Sequence, residues 1–176
     1  MEFNIIQKLL LLERMSVNQL TSNTNIFFDT PRKANSTNVQ VTDVNLIPSV
    51  DSKTLLVKAK TRSKDSTYET KIFFTDVKFV QPGSLNSVEF MAVDGQKYAV
   101  KSLKRGQSDC KVSCTCPDFY YMFSVWNDDK EALEGPTPEP YIKKTDSPPR
   151  NPQRVPGVCK HLMKLADTVV SRRILK

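Results

Sequence analysis

The stretches Val112-Ser113-Cys114-Thr115-Cys116-Pro117-Asp118-Phe119 and Gly157-Val158-Cys159-Lys160-His161-Leu162 decide how the last third of this 176-residue chain is built. Each places two metal-ligand residue types two positions apart, and 42 residues (117 to 158) separate Cys116 from Cys159. On a flat strand, neighbours at i and i+2 point to one face and so lie one full repeat apart along it. A strand that ends in a turn at Pro117, which has no N–H for a ladder, brings Cys114 and Cys116 to one ion. On a regular helix Cys159 and His161 diverge by about 200°. The spacing therefore predicts Cys159 just before a helix and His161 in its first turn. Gly157 gives the backbone the freedom to make that approach.

Three thiolates and one imidazole match the tetrahedral preference of Zn2+ and leave no coordination position for water, so such an ion is structural. The predicted ligands are Cys114, Cys116, Cys159 and His161, the only histidine in the chain. Cys110 admits two readings: a small buried hydrophobe, or a fourth thiolate in a rival site without His161. Cysteines at metal-ligand spacing argue for thiolates in a reducing compartment rather than for disulfides.

This arrangement resembles the SWIM-type zinc finger, whose pattern is Cys-x-Cys, a variable gap, then Cys-x-His. The flanking Pro117-Asp118-Phe119 and Lys160-His161-Leu162 fit that family as well. The resemblance covers about the last third of the chain, and the gap is longer than usual. It implies a hairpin carrying the first ligand pair, a helix carrying the second, and a finger that binds DNA or protein. The same third also looks like small SWIM-containing proteins of large tailed phages, which tend to be virion components.

Working outward, Lys111 to Cys114 reads as a strand leading into the site. Asp118 reads as the cap of a short helix with Phe119, Phe123 and Trp126 on one face. Those three form the finger's own small core, whereas Tyr120 and Tyr121 are free for contact with bases or a partner. Residues 127–157 hold seven of the eleven prolines, which excludes a regular helix or central strand. That insert is either a disordered loop or an arm that orders on a neighbouring subunit. Val158 to Ile174 reads as a final helix with Leu162, Leu165, Ala166 and Val169 inward.

Upstream, Phe3, Ile6 and Leu10 with Ile5, Leu9 and Leu12 predict an amphipathic helix over 3–15, packed on its own core or on a partner. Residues 21–53 read as a long connection with one or two short strands. From Thr54 to Arg62, Leu55, Val57 and Ala59 alternate with Lys58 and Lys60, a half-buried strand. Tyr68 to Phe79 forms the next strand. Asp94-Gly95 predicts a two-residue hairpin in which Val93 opposes Gln96 and Met91 opposes Tyr98.

The fold class is therefore α+β: a mainly antiparallel sheet with an N-terminal helix (1–20), a β-rich domain (21–110) and a SWIM-like finger (111–176). Apolar residues at 39% and charged residues at 26% fit a soluble globular chain. No apolar run is long enough to span a membrane, and the first residues lack a signal peptide's basic start and cleavage site. A net charge of +7 favours polyanions or acidic partners. With its single histidine used as a ligand, and five glycines that form no phosphate loop, the chain presents no catalytic constellation. The expected function is a non-enzymatic structural subunit of a virion, assembled in the host cytoplasm beside other virion subunits or its own copies. The alternative is a DNA- or RNA-binding accessory protein.

Overall fold

The computed structural model describes residues 15–25, 36, 38–139, 141, 142, 146 and 149–176. The helix expected over 3–15 lies almost entirely outside the described residues. The helix that is seen, α1, runs Val17–Asn25 and buries Val17, Leu20 and Thr24.

Four strands form the larger sheet: β1 (Val39–Ser49), β2 (Thr54–Ser63), β3 (Ser66–Phe74) and, later in the chain, β7 (Cys110–Cys114). Their order is β1-β2-β3-β7 and every pairing is antiparallel. The alternation in β2 holds, with Leu55, Val57 and Ala59 buried. The smaller sheet comprises β4 (Phe79–Val80), β5 (Ser87–Met91) and β6 (Lys97–Lys101), in the order β4-β6-β5.

β1 corrects the reading of 21–53 as a long connection. It is an 11-residue strand whose alternation is broken by a bulge between Thr42 and Asn45, with Asp43 at φ 52°. The extra residue keeps Val39 and Val41 in phase with Val44 and Leu46, so that Val39 and Leu46 are both buried. Pro48 is tolerated because β1 is an edge.

Two further strand expectations change. The strand read as Tyr68 to Phe79 ends at Phe74, and Phe79 opens β4 in the other sheet. At Asp94-Gly95, Phe90 opposes Tyr98 and Met91 opposes Lys97, one residue off the expected register. Gly95 alone in this loop has positive φ, at 76°, and its N–H bonds the carbonyl of Ala92 at 3.1 Å. A two-residue type I′ turn needs positive φ at both centres, so the chain takes the three-residue loop Val93-Asp94-Gly95.

After β7, helix α2 spans 117–129 in three pieces: Pro117–Phe119, a π turn over Tyr120–Ser124, and Val125–Asp129. The Ser124 hydroxyl donates to the Tyr120 carbonyl at 2.7 Å, inside the widened turn. The extra residue rotates the remainder of the helix. Phe119 and Phe123 are buried as expected, but Asn127 takes the next inward position and Trp126 is only half-buried. The Arg154 guanidinium lies 5.8 Å above the Trp126 ring.

Helix α3 (Lys160–Ser171) is shorter at both ends than the expected 158–174. It lays Leu162, Leu165, Ala166 and Val169 across the larger sheet, meeting all four strands. The outer edge of β7 is covered. Cys110 N–H donates to Met15 O at 2.8 Å, Val112 N–H to Ala132 O at 2.8 Å, and Glu134 N–H to Val112 O at 3.1 Å. Buried side chains from Met15 to Leu175 form one continuous cluster. Among the described residues no helix is long and apolar enough to cross a membrane.

Candidate metal centre

Cys114, the last residue of β7, pairs with Thr70 of β3. The chain then turns away while Thr115 stays bound to the sheet. Its N–H donates to Glu69 O, and its hydroxyl accepts from Glu69 N–H, each at 3.0 Å. This anchor folds the strand end so that Cys116 reaches the same space as Cys114.

Cys116 is the N-cap of α2, at φ −74° and ψ 147°, with Pro117 at the first helical position. Its sulfur accepts from Phe119 N–H at 3.3 Å, and Cys114 sulfur accepts from Cys116 N–H at 3.5 Å. The expected cap, Asp118, lies in the first turn and pairs instead with Arg150 at 3.1 Å. A thiolate at a helix N-terminus is stabilised as a carboxylate is.

Cys159 is the N-cap of α3, at φ −82° and ψ 168°, and His161 lies in the first helical turn, both as expected from the spacing. Gly157 is required for a reason other than backbone freedom. A Cβ there would sit 2.6 Å from Phe123 and 2.6 Å from the Thr24 hydroxyl, so only glycine fits the gap.

The four side chains converge. All four are buried, and one ligand atom from each lies within 4.8 Å of the others. His161 directs Nδ1 inward, 3.8 Å from Cys159 Sγ and 4.0 Å from Cys114 Sγ. Metal–sulfur and metal–nitrogen bonds of about 2.3 and 2.0 Å in a tetrahedron imply S···N separations of about 3.6 Å. The pocket between the four atoms thus fits one ion of that size. The Tyr68 ring covers the imidazole, with centroids 4.7 Å apart. On the far side of the ring, Nε2 is buried with no hydrogen-bond partner among the described residues.

The protonation pattern also fits. Hydrogen bonds from the Cys114 and Cys159 thiols, with a further one from Phe119 N–H, drive Cys116 far below the ordinary thiol range. Cys114 is held well up, first by donating to Cys116 and then by burial. Burial, followed by the two neighbouring sulfurs, raises Cys159. Three thiolates in so small a space repel one another unless a cation lies between them, which is the donor chemistry of a soft-metal site.

Cys110 stands apart. It lies four residues before Cys114 on β7, about 13 Å away at strand rise. It is 1% exposed and belongs to the apolar cluster, which is the buried-hydrophobe reading. Burial, with Asp109 adding to it, pushes its thiol up to about 12.

The sequence did not reveal the side chains that hold the second ligand pair. Asn127, Thr24 and Asn151 are buried and bonded to the backbone around 155–158. Only the proline and glycine in Pro156-Gly157 hinted that this approach is constrained. Comparison of the chain with protein-family models, curated proteins and solved structures finds no match.

Proposed function

We propose that Cys114, Cys116, Cys159 and His161 hold one structural Zn2+ in a SWIM-like finger, and that the chain is a non-enzymatic interaction protein. The convergence of three buried thiols and one imidazole from a strand end and a helix start carries this reading. A bound ion supplies a cross-link between β7 and α3 and neutralises the thiolates; the protein supplies the fixed tetrahedral set. Elemental analysis of the purified protein tests it. One equivalent of zinc is expected, and a metal-free protein of unchanged fold would sink it.

At the next level the reading is a structural subunit of a tailed-phage particle. It is supported by the resemblance of the last third to SWIM proteins of such phages and by the long insert between the ligand pairs. The insert displays Tyr141 and Ile142, 51% and 79% exposed, as side chains available to a neighbouring subunit. Mass spectrometry of purified particles should find the protein at stoichiometric abundance, and its absence would remove this reading.

A second reading, a nucleic-acid accessory protein, is favoured by one specific arrangement. Exposed Tyr120, Tyr121 and Tyr141 pack edge-to-face, with centroids 5.1 and 4.7 Å apart, on a chain of net charge +7. Base stacking on such rings predicts single-strand binding that weakens steeply with salt. Flat titrations at low ionic strength would exclude it.

A further inference from the structure

The segment leading into Cys159 has no regular secondary structure, yet its peptide groups are bonded from two directions. Asn127 of α2 takes both polar groups of Gly157: its Nδ2 donates to Gly157 O at 3.0 Å, and its Oδ1 accepts from Gly157 N–H at 2.9 Å. Thr24 of α1 takes Val158. The hydroxyl accepts from Val158 N–H at 2.7 Å and shares its proton between Val158 O at 3.1 Å and Leu20 O at 2.9 Å. Asn127 is fully buried and Thr24 is 3% exposed. Phe123 and Thr24 close on Gly157 so tightly that no side chain fits there.

We propose that Thr24 and Asn127 are positioning residues for the metal centre, fixing the two peptides ahead of Cys159 and thereby setting metal affinity. The inference rests on reading the four-residue cluster as a metal site. Cys159 is non-helical and its side chain makes no capping bond, so α3 alone does not determine its orientation. On its N-terminal side the clamp on Gly157 and Val158 does so. Ligand aim is sensitive to such contacts, because a small rotation ahead of Cys159 moves both its sulfur and the His161 ring. The first ligand pair has its own anchor in the Thr115–Glu69 pairing. The two halves of the site are therefore held by different parts of the molecule, and one half depends on the docking of α1. Linkage makes the dependence mutual: a bound ion should hold α1 in place as α1 holds the ligands.

The test uses the full chain with Co2+ as spectroscopic probe and Zn2+ affinity measured by chelator competition. Thr24→Val and Asn127→Ala should each weaken Zn2+ binding by about 10- to 100-fold, the range for residues that orient metal ligands. Both should also shift the cobalt d–d bands. Thr24→Ser, which keeps the hydroxyl, should restore affinity and spectrum. Variants that melt at lower temperature while keeping the parent's affinity and cobalt spectrum would show the clamp to be structural only, and would overturn the inference with the metal site intact. If Asn127→Ala does not fold, the Thr24→Val and Thr24→Ser pair decides. A parent chain that takes up neither ion removes the metal reading itself, and this inference with it.

Discussion

At the scale of single residues, the cluster makes sharp distinctions among similar side chains. Cys114→Ser and His161→Ala each remove a ligand and should lose bound zinc. They should also destabilise the fold by several kcal/mol, on the order of half or less of the ~10 kcal/mol or more a structural zinc supplies. Metal content and urea denaturation on the same samples check both. Cys110→Ser should keep the metal, since its sulfur lies outside the cluster. Cys110 has a separate signature in alkali. Its thiol is raised from 9.0 to about 12, so the folded state binds this proton more tightly than the unfolded chain does. The stability it contributes is complete below the unfolded value and is lost as pH rises from about 9 towards 12, at about 1.4 kcal/mol per unit. Urea midpoints measured across that range should fall less steeply in Cys110→Ala than in the parent.

At the scale of elements, two local irregularities lie in the framework of the site, and each hid from pattern reading for a definite reason. The bulge in β1 breaks the alternation of Val39, Val41, Val44 and Leu46, so an 11-residue strand looks like two fragments. Deleting Asp43 removes the extra residue and leaves Val39, Val41, Val44 and Leu46 alternating on one face of a regular strand, so the core should survive the deletion. Denaturant unfolding checks this: a loss as large as the ~1.5–3 kcal/mol that one buried valine contributes would show that a side chain has left the core. The π turn has the same kind of effect in α2. A stripe of period 3.6 puts Trp126 inward, whereas the added residue puts Asn127 there, where it binds Gly157. Gly157→Ala should lower stability by about 1–3 kcal/mol because the added methyl has no room against Phe123 and Thr24. Thermal melts of the metal-loaded protein check this. What was legible at this scale was what side-chain spacing alone determines: the faces of β2, the inward stripe of α3, and the placement of Cys159 before a helix and His161 within it. The hairpin register was not legible, because Asp-Gly specifies that a turn forms without specifying how many residues it contains.

At the scale of the whole molecule, the ligands join elements that already share a core. Buried side chains run without interruption from Met15 through the sheet to Leu175, and α3 meets all four strands of the larger sheet. Metal removal should therefore lower the midpoint of one cooperative transition instead of melting the finger alone. Far-ultraviolet circular dichroism follows the sheet and helices, and the fluorescence of Trp126, the only tryptophan, follows the finger. The two signals should shift together when zinc is chelated, and separate midpoints would contradict the single core. The antiparallel α+β architecture was readable from alternation and turns. The sheet was expected to run from 39 to 115 and so to include the strand bearing Cys114, but its neighbour was not readable, because no local pattern announces that this strand pairs with β3.

The insert is pinned close to both of its ends, by Glu134 against Val112 and by Asn151, whose amide donates to Met122 O at 2.8 Å and Val155 O at 2.7 Å. Between such fixed points, the entropy of closing a loop grows only with the logarithm of its length, about 0.6 kcal/mol for each doubling. Extra residues placed between Glu134 and Asn151 therefore change the reach of the insert far more than they change the free energy of the fold. Reach and stability are close to independent variables in this chain, and the span between the two ligand pairs can be lengthened or shortened with little penalty to the centre that closes it.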